Sequence, residues 1–224
     1  MSVPNQVFVG MPWKNVKKRY EKVIDRLKVL SPLSFVIVGR GDDQDADDLL
    51  EVIKGKLEES SYAIFDATGG NANVSLEYGY SEAKNIPRVL YMSTHKAAHK
   101  GKDASIISDL AGKRRKSYAN EGALRALLLQ FSKAHAYTKR FEKALTKEFR
   151  YKDKGTKKRL RALALKVIHS LDEQSDIRRD DLVLNLRADQ ADYKVAEIEE
   201  VIRRLRKSNL IVVEPGRYSR VTIG

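Results

Sequence analysis

Tyr62–Pro87 reads YAIFDATGGNANVSLEYGYSEAKNIP, and this stretch decides the fold. Ala63–Phe65 is a short apolar run that stops at Asp66, as a strand buried on both faces does. Gly69-Gly70 then supplies a turn, and Asn71 and Asn73 are residues that cap a helix start. Val74–Lys84 carries helical spacing, and a second apolar run, Arg88–Met92, follows at once. Strand, turn, helix and strand in so few residues predict a parallel crossover.

The same alternation extends on both sides. Towards the N-terminus, Gln6–Gly10 is expected as a strand, Asn15–Leu30 as an amphipathic helix, Phe35–Val38 as a second strand and Asp47–Ser60 as a helix. Towards the C-terminus, Lys116–Ala119 is expected as a short fifth strand and Glu121–Phe149 as one long helix. Apolar strands alternating with helices predict an α/β fold, with a five-stranded parallel sheet of flavodoxin-like order 2-1-3-4-5. Tyr151–Thr156 (YKDKGT) is polar and contains Gly155, so the chain is divided into residues 1–150 and 156–224. In the tail, helices are expected over Lys157–Leu171, Asp180–Leu186 and Asp192–Ser208, then a hairpin about Pro215-Gly216. Three helices and a terminal hairpin predict a winged-helix domain.

In an open parallel sheet, ligands sit beyond the carboxyl ends of the strands where the strand order reverses, here between the first and third strands. The loops leaving those strands are Gly10-Met11-Pro12-Trp13 and Asp66–Asn73. Gly10 allows close backbone approach and Trp13 offers an aromatic face. Asn71 and Asn73 can present amides to a sugar, and Asp66 is expected to turn its carboxylate into the crevice. Glu77, one turn into the following helix, is expected to stay ionised near the positive helix end. An ionised carboxylate beside a sugar can attack an anomeric carbon or stabilise an oxocarbenium ion, the chemistry of glycosidic cleavage.

Charge separates the two halves. The 224 residues carry a net +13, yet residues 1–99 hold 13 basic and 13 acidic side chains, whereas residues 100–224 hold 30 and 17. The excess clusters at Lys113-Arg114-Arg115-Lys116 and Lys157-Lys158-Arg159, and the expected wing adds Arg217 and Arg220. Such local clusters point to a polyanion, and nucleic acid is the expected partner. The third tail helix opens with Asp189, Gln190 and Asp192, and these carboxylates disfavour reading bases in a major groove. There is no cysteine, and His95, His99, His135 and His169 lack a metal-binding spacing, so no metal site is expected. No apolar run reaches the length of a membrane span, and no signal peptide is read at the start. A cytoplasmic protein with no membrane partner is expected.

Val7–Trp13 (VFVGMPW) and Tyr62–Pro87 together resemble the nucleoside 2-deoxyribosyltransferase-like superfamily, a neighbour of the TIR domains, over roughly residues 5–118. The resemblance puts Glu77 on the family's catalytic glutamate and Asp66 on its substrate-orienting aspartate. Asn71 and Asn73 match the asparagine pair, with Gly69 and Gly10–Trp13 forming the rest of the substrate site. Trp13 departs from the family pattern, which implies a different base pocket. A domain of this kind followed by a winged helix is similar in order to the effectors of type II retrons. That likeness implies an N-glycosidase acting on NAD or a related nucleotide or nucleoside, as an anti-phage toxin. NAD would then be a substrate, with no other cofactor. It also implies RNA-linked DNA and a reverse transcriptase as partners; an oligomer is expected. The alternatives are a nucleotide-sensing transcriptional regulator without turnover, and a scaffold with a vestigial crevice. Only cleavage requires the Glu77 carboxylate.

Overall fold

The computed structural model describes residues 2–38, 49–95, 112–174, 177–189, 192–214 and 220–224. By internal packing the chain divides into two units, Met1–Leu27 with Phe35–Gln130, and Lys28–Ser34 with Phe131–Gly224.

The first unit is a parallel sheet in the order β2-β1-β3-β4-β5. Its strands are β1 (Val3–Gly10), β2 (Ser34–Val36), β3 (Ser60–Asp66), β4 (Arg88–Ser93) and β5 (Arg115–Tyr118). The helices are α1 (Trp13–Leu27), α2 (Leu49–Glu59), α3 (Ala72–Ala83) and α4 (Glu121–Ala134). The expected order 2-1-3-4-5 is the one observed. α1 forms because Val16, Tyr20, Val23, Ile24 and Leu27 recur at helical spacing, and all five are buried. On the face carrying α2 and α3, Phe8, Leu57, Ala63, Phe65, Val74 and Tyr78 build one core. Alternation along β3 therefore sends Phe65 to that face and Asp66 to the other.

The second unit contains α5 (Ala136–Glu148), α6 (Lys154–Glu173), β6 (Ile177–Arg178), α7 (Arg179–Asp189), α8 (Val195–Lys207), β7 (Ile211–Val213) and β8 (Arg220–Ile223). The two strands of the expected final hairpin pair antiparallel, with Ile211 opposite Ile223, and β6 joins them to give the order β6-β8-β7; the expected turn at Pro215-Gly216 lies outside the described residues. Strand β6 is too short to stand out by apolar alternation.

The expected single helix Glu121–Phe149 is two helices. At His135 the backbone leaves helical geometry (φ −65°, ψ 140°), and Nδ1 accepts the Tyr137 N–H at 3.3 Å, so the ring caps α5. The apolar face of α5 belongs with the tail: Tyr137 Oη donates to the Leu210 carbonyl at 3.1 Å, and Glu148 pairs with Arg204. The later boundary between the units thus falls at Phe131, within the last turn of α4, whereas composition divides the chain near Gly155. Among the described residues, no helix is long and apolar enough to cross a membrane.

Candidate active site

A cavity of about 670 Å³ opens at the ends of β1 and β3, where the strand order reverses. β1 and the start of α1 supply Gly10, Met11, Pro12, Trp13 and Lys14; the turn after β3 supplies Thr68 and Gly69; α3 and its cap supply Asn71, Asn73, Val74 and Glu77. All the substrate-site residues expected from sequence therefore line one space. Sequence reading missed the apolar wall contributed by Phe8, Val38, Leu49 and Ile53, whose residue types are ordinary for a core.

The turn requires its glycines, since Gly69 and Gly70 adopt φ of 75° and 66°. Asn71 caps α3 by accepting the Val74 N–H at 3.2 Å, and this fixes the helix that carries Glu77. Glu77 reaches back to β1, where a Cβ built on Gly10 would lie 2.4 Å from Glu77 Oε2 and 2.7 Å from the Phe65 ring. Only bare backbone fits there, and the carboxylate lies against it.

Glu77 Oε2 is buried with no hydrogen-bond partner among the described residues. Burial pushes its carboxyl up to about 7, from an ordinary value of 4.5. This corrects the expectation of a carboxylate kept ionised by the helix. Glu77 lies in the second turn of α3, beyond the free N–H groups of the first, and lost hydration outweighs the helix field. A carboxyl raised toward neutrality by burial and lining a cavity is suited to exchange a proton there.

Asp66 is placed elsewhere. It is 0% exposed, is absent from the cavity lining and faces the side of the sheet carrying α1. Tyr20 Oη donates to Oδ2 at 2.9 Å, Tyr118 Oη to the same oxygen at 2.6 Å, and the Thr68 N–H to Oδ1 at 2.9 Å. Burial pushes the Asp66 carboxyl up and these donors pull it down, while burial raises both tyrosines. Thr68 Oγ1 in turn accepts the Ser93 N–H at 2.8 Å. The expectation that Asp66 points into the crevice is not met. Strand alternation turns it away, and its carboxylate holds the turn that forms the cavity floor. Tyr20 and Tyr118 are its partners.

Trp13 is 45% exposed, and Lys17 Nζ lies 4.0 Å from its ring centroid, a cation–π contact that orients the indole at the cavity mouth. Of the expected nucleic-acid contacts, Lys113 pairs with Glu82 at 2.9 Å and Arg159 with Glu197 at 3.1 Å. Arg114, Lys116, Lys157 and Lys158 are exposed, whereas Arg115 is partly buried in β5. Arg220 begins β8, and Arg217 lies outside the described residues. No protein-family model and no curated protein sequence matches the chain.

Proposed function

We propose that this protein is an N-glycosidase of the nucleoside 2-deoxyribosyltransferase-like kind, acting on NAD or a related nucleotide or nucleoside. The observation that carries the reading is the Glu77 carboxylate, which lines the cavity at the switch point of the sheet and whose buried Oε2 has no hydrogen-bond partner among the described residues. Leaving such a group unpaired costs stability, and a ligand bearing hydroxyl donors would satisfy it. In the cleavage step, ionised Glu77 attacks the anomeric carbon or stabilises its developing positive charge. The C–N bond breaks with its electron pair leaving on the base, and water completes hydrolysis at the same carbon. Trp13 would stack on the departing base, Asn71 and Asn73 would hold the sugar, and Gly10 leaves room for it. Asp66 acts as a positioning residue through Thr68.

The order α6, β6, α7, α8, β7, β8 with a three-stranded antiparallel sheet supports reading the tail as a winged helix. Its basic composition supports docking on nucleic acid. With the resemblance to retron effectors, this supports a defence toxin held in check by RNA-linked DNA and a reverse transcriptase, in an oligomer in the cytoplasm. The test is incubation of the purified chain with NAD, nucleotides and nucleosides, with free base read by chromatography. Release from at least one nucleotide or nucleoside is expected. Tight binding of a nucleotide with no release would favour the sensing regulator instead.

A further inference from the structure

The cations of the tail are not equivalent. On α8, Arg204 is held by Glu148 and Glu200, Arg203 by Glu200, and Lys207 lies 3.6 Å from Glu148. Arg179 pairs with Glu199 and Lys166 with Asp189. The helix that would read DNA in a winged helix therefore has much of its positive charge neutralised within the protein.

The opposite holds between Lys133 and Lys158, where ten basic side chains accompany three acidic ones. All three acids are engaged: Glu142 binds Arg161, Glu148 binds Arg204, and Asp153 caps α6 through Thr156. Lys139, Lys143 and Lys147 are exposed and recur every fourth residue, on the side of α5 opposite Tyr137, Phe141 and Leu145. That row rises about 12 Å along the helix. None of the three has an ion-pair partner among the described residues, and the same is true of exposed Lys152, Lys154, Lys157 and Lys158. A solvated basic helix would need nothing more, but one further feature stands among these charges. Tyr151 is 85% exposed, and the Arg150 guanidinium lies 4.4 Å from its ring centroid.

An open aromatic ring amid unpaired cations is the pairing of parts that binds single-stranded nucleic acid: the cations track phosphates and the ring stacks on a base. A duplex keeps its bases inside and cannot use the ring. We propose that the α5 row and the start of α6 form a docking surface for a single-stranded polynucleotide, with an unpaired base stacked on Tyr151. This rests on the nucleic-acid reading of the tail, though not on glycosidase activity, so either can fail alone.

The test measures anisotropy of labelled 20-nucleotide single strands of DNA and RNA, and of a duplex of equal length, with the full chain across a salt series. Single strands are expected to bind more tightly than the duplex, and Tyr151→Ala to weaken them about tenfold while leaving duplex affinity unchanged. Lys139→Gln, Lys143→Gln and Lys147→Gln together should lower the salt slope for single strands by about 2. All four positions are exposed, so unchanged melting curves certify the fold. Preferential duplex binding, wild-type affinity in the variants, or effects confined to Arg203→Gln and Arg206→Gln on α8 would overturn the proposal. Weakened binding to one sugar type alone would support it and identify the strand as DNA or RNA.

Discussion

Glu77→Gln should make the protein more stable, with a gain that depends on pH. Folding raises the Glu77 carboxyl from 4.5 to about 7 because burial removes its water and no described residue gives Oε2 a hydrogen bond in return. Below pH 4.5 the group is protonated in both folded and unfolded chains, and its burial as a neutral acid adds no pH-dependent cost. Between 4.5 and 7 the unfolded chain ionises while the folded one stays neutral, so stability falls as pH rises. Above 7 the full penalty applies. A displacement of this size corresponds to about 3 kcal/mol, and residual solvent contact brings it to about 2–3. Gln keeps the shape, has no charge to desolvate, and breaks no hydrogen bond of Oε2, which has none among the described residues. Melting of the two proteins should coincide near pH 4 and separate by on the order of 10 °C at pH 8, with the variant higher. A difference that is flat in pH, or a variant less stable at pH 8, would show that the carboxylate is paired in the folded protein. The functional reading would then lose its main support.

If ionised Glu77 is the group that acts, kcat/KM for base release should climb as pH rises through about 7, and a falling profile would assign it the role of an acid. Gly10→Ala should empty the site of ligand and destabilise the chain by about 1–3 kcal/mol, because the new methyl meets Glu77 Oε2 and the Phe65 ring; nucleotide titration and melting together check this. Tyr118→Phe removes one of two hydroxyl donors from buried Asp66 and should cost about 1–3 kcal/mol, with Tyr20→Phe combining non-additively in a double-mutant cycle. A fragment ending at Gly155 should expose Tyr137, Phe141 and Leu145 and bind a hydrophobic dye that the full chain does not bind.

Periodicity carried the sheet. Runs such as Val7–Gly10 and Ala63–Phe65 fit strands buried on both faces, they pair in parallel at the centre of the sheet, and the loops after them line the cavity. The position of the cavity was legible for the same reason, since Gly69, Gly70 and Asn71 mark the strand-to-helix turn that borders it. The direction of Asp66 was not. Its neighbours Ile64 and Phe65 are both fully buried, so alternation has no polar side to reveal, and only Tyr20 and Tyr118, distant in sequence, show which way it faces. The ionisation of Glu77 is not legible in the sequence, because helix position is local while burial depends on Phe65 and Gly10 across the fold. The break at His135 escaped because histidine is an unusual cap. Once the chain turns there, the apolar residues of α5 pack with the tail.

The most direct test of the account is base release from NAD and from a nucleoside panel by the wild-type chain and Glu77→Gln, side by side at pH 8. Cleavage of at least one of these by the wild type, and its loss in a variant that binds the same ligand and melts no lower, is the predicted result. Equal release by both proteins would remove Glu77 from the chemistry and contradict the central claim.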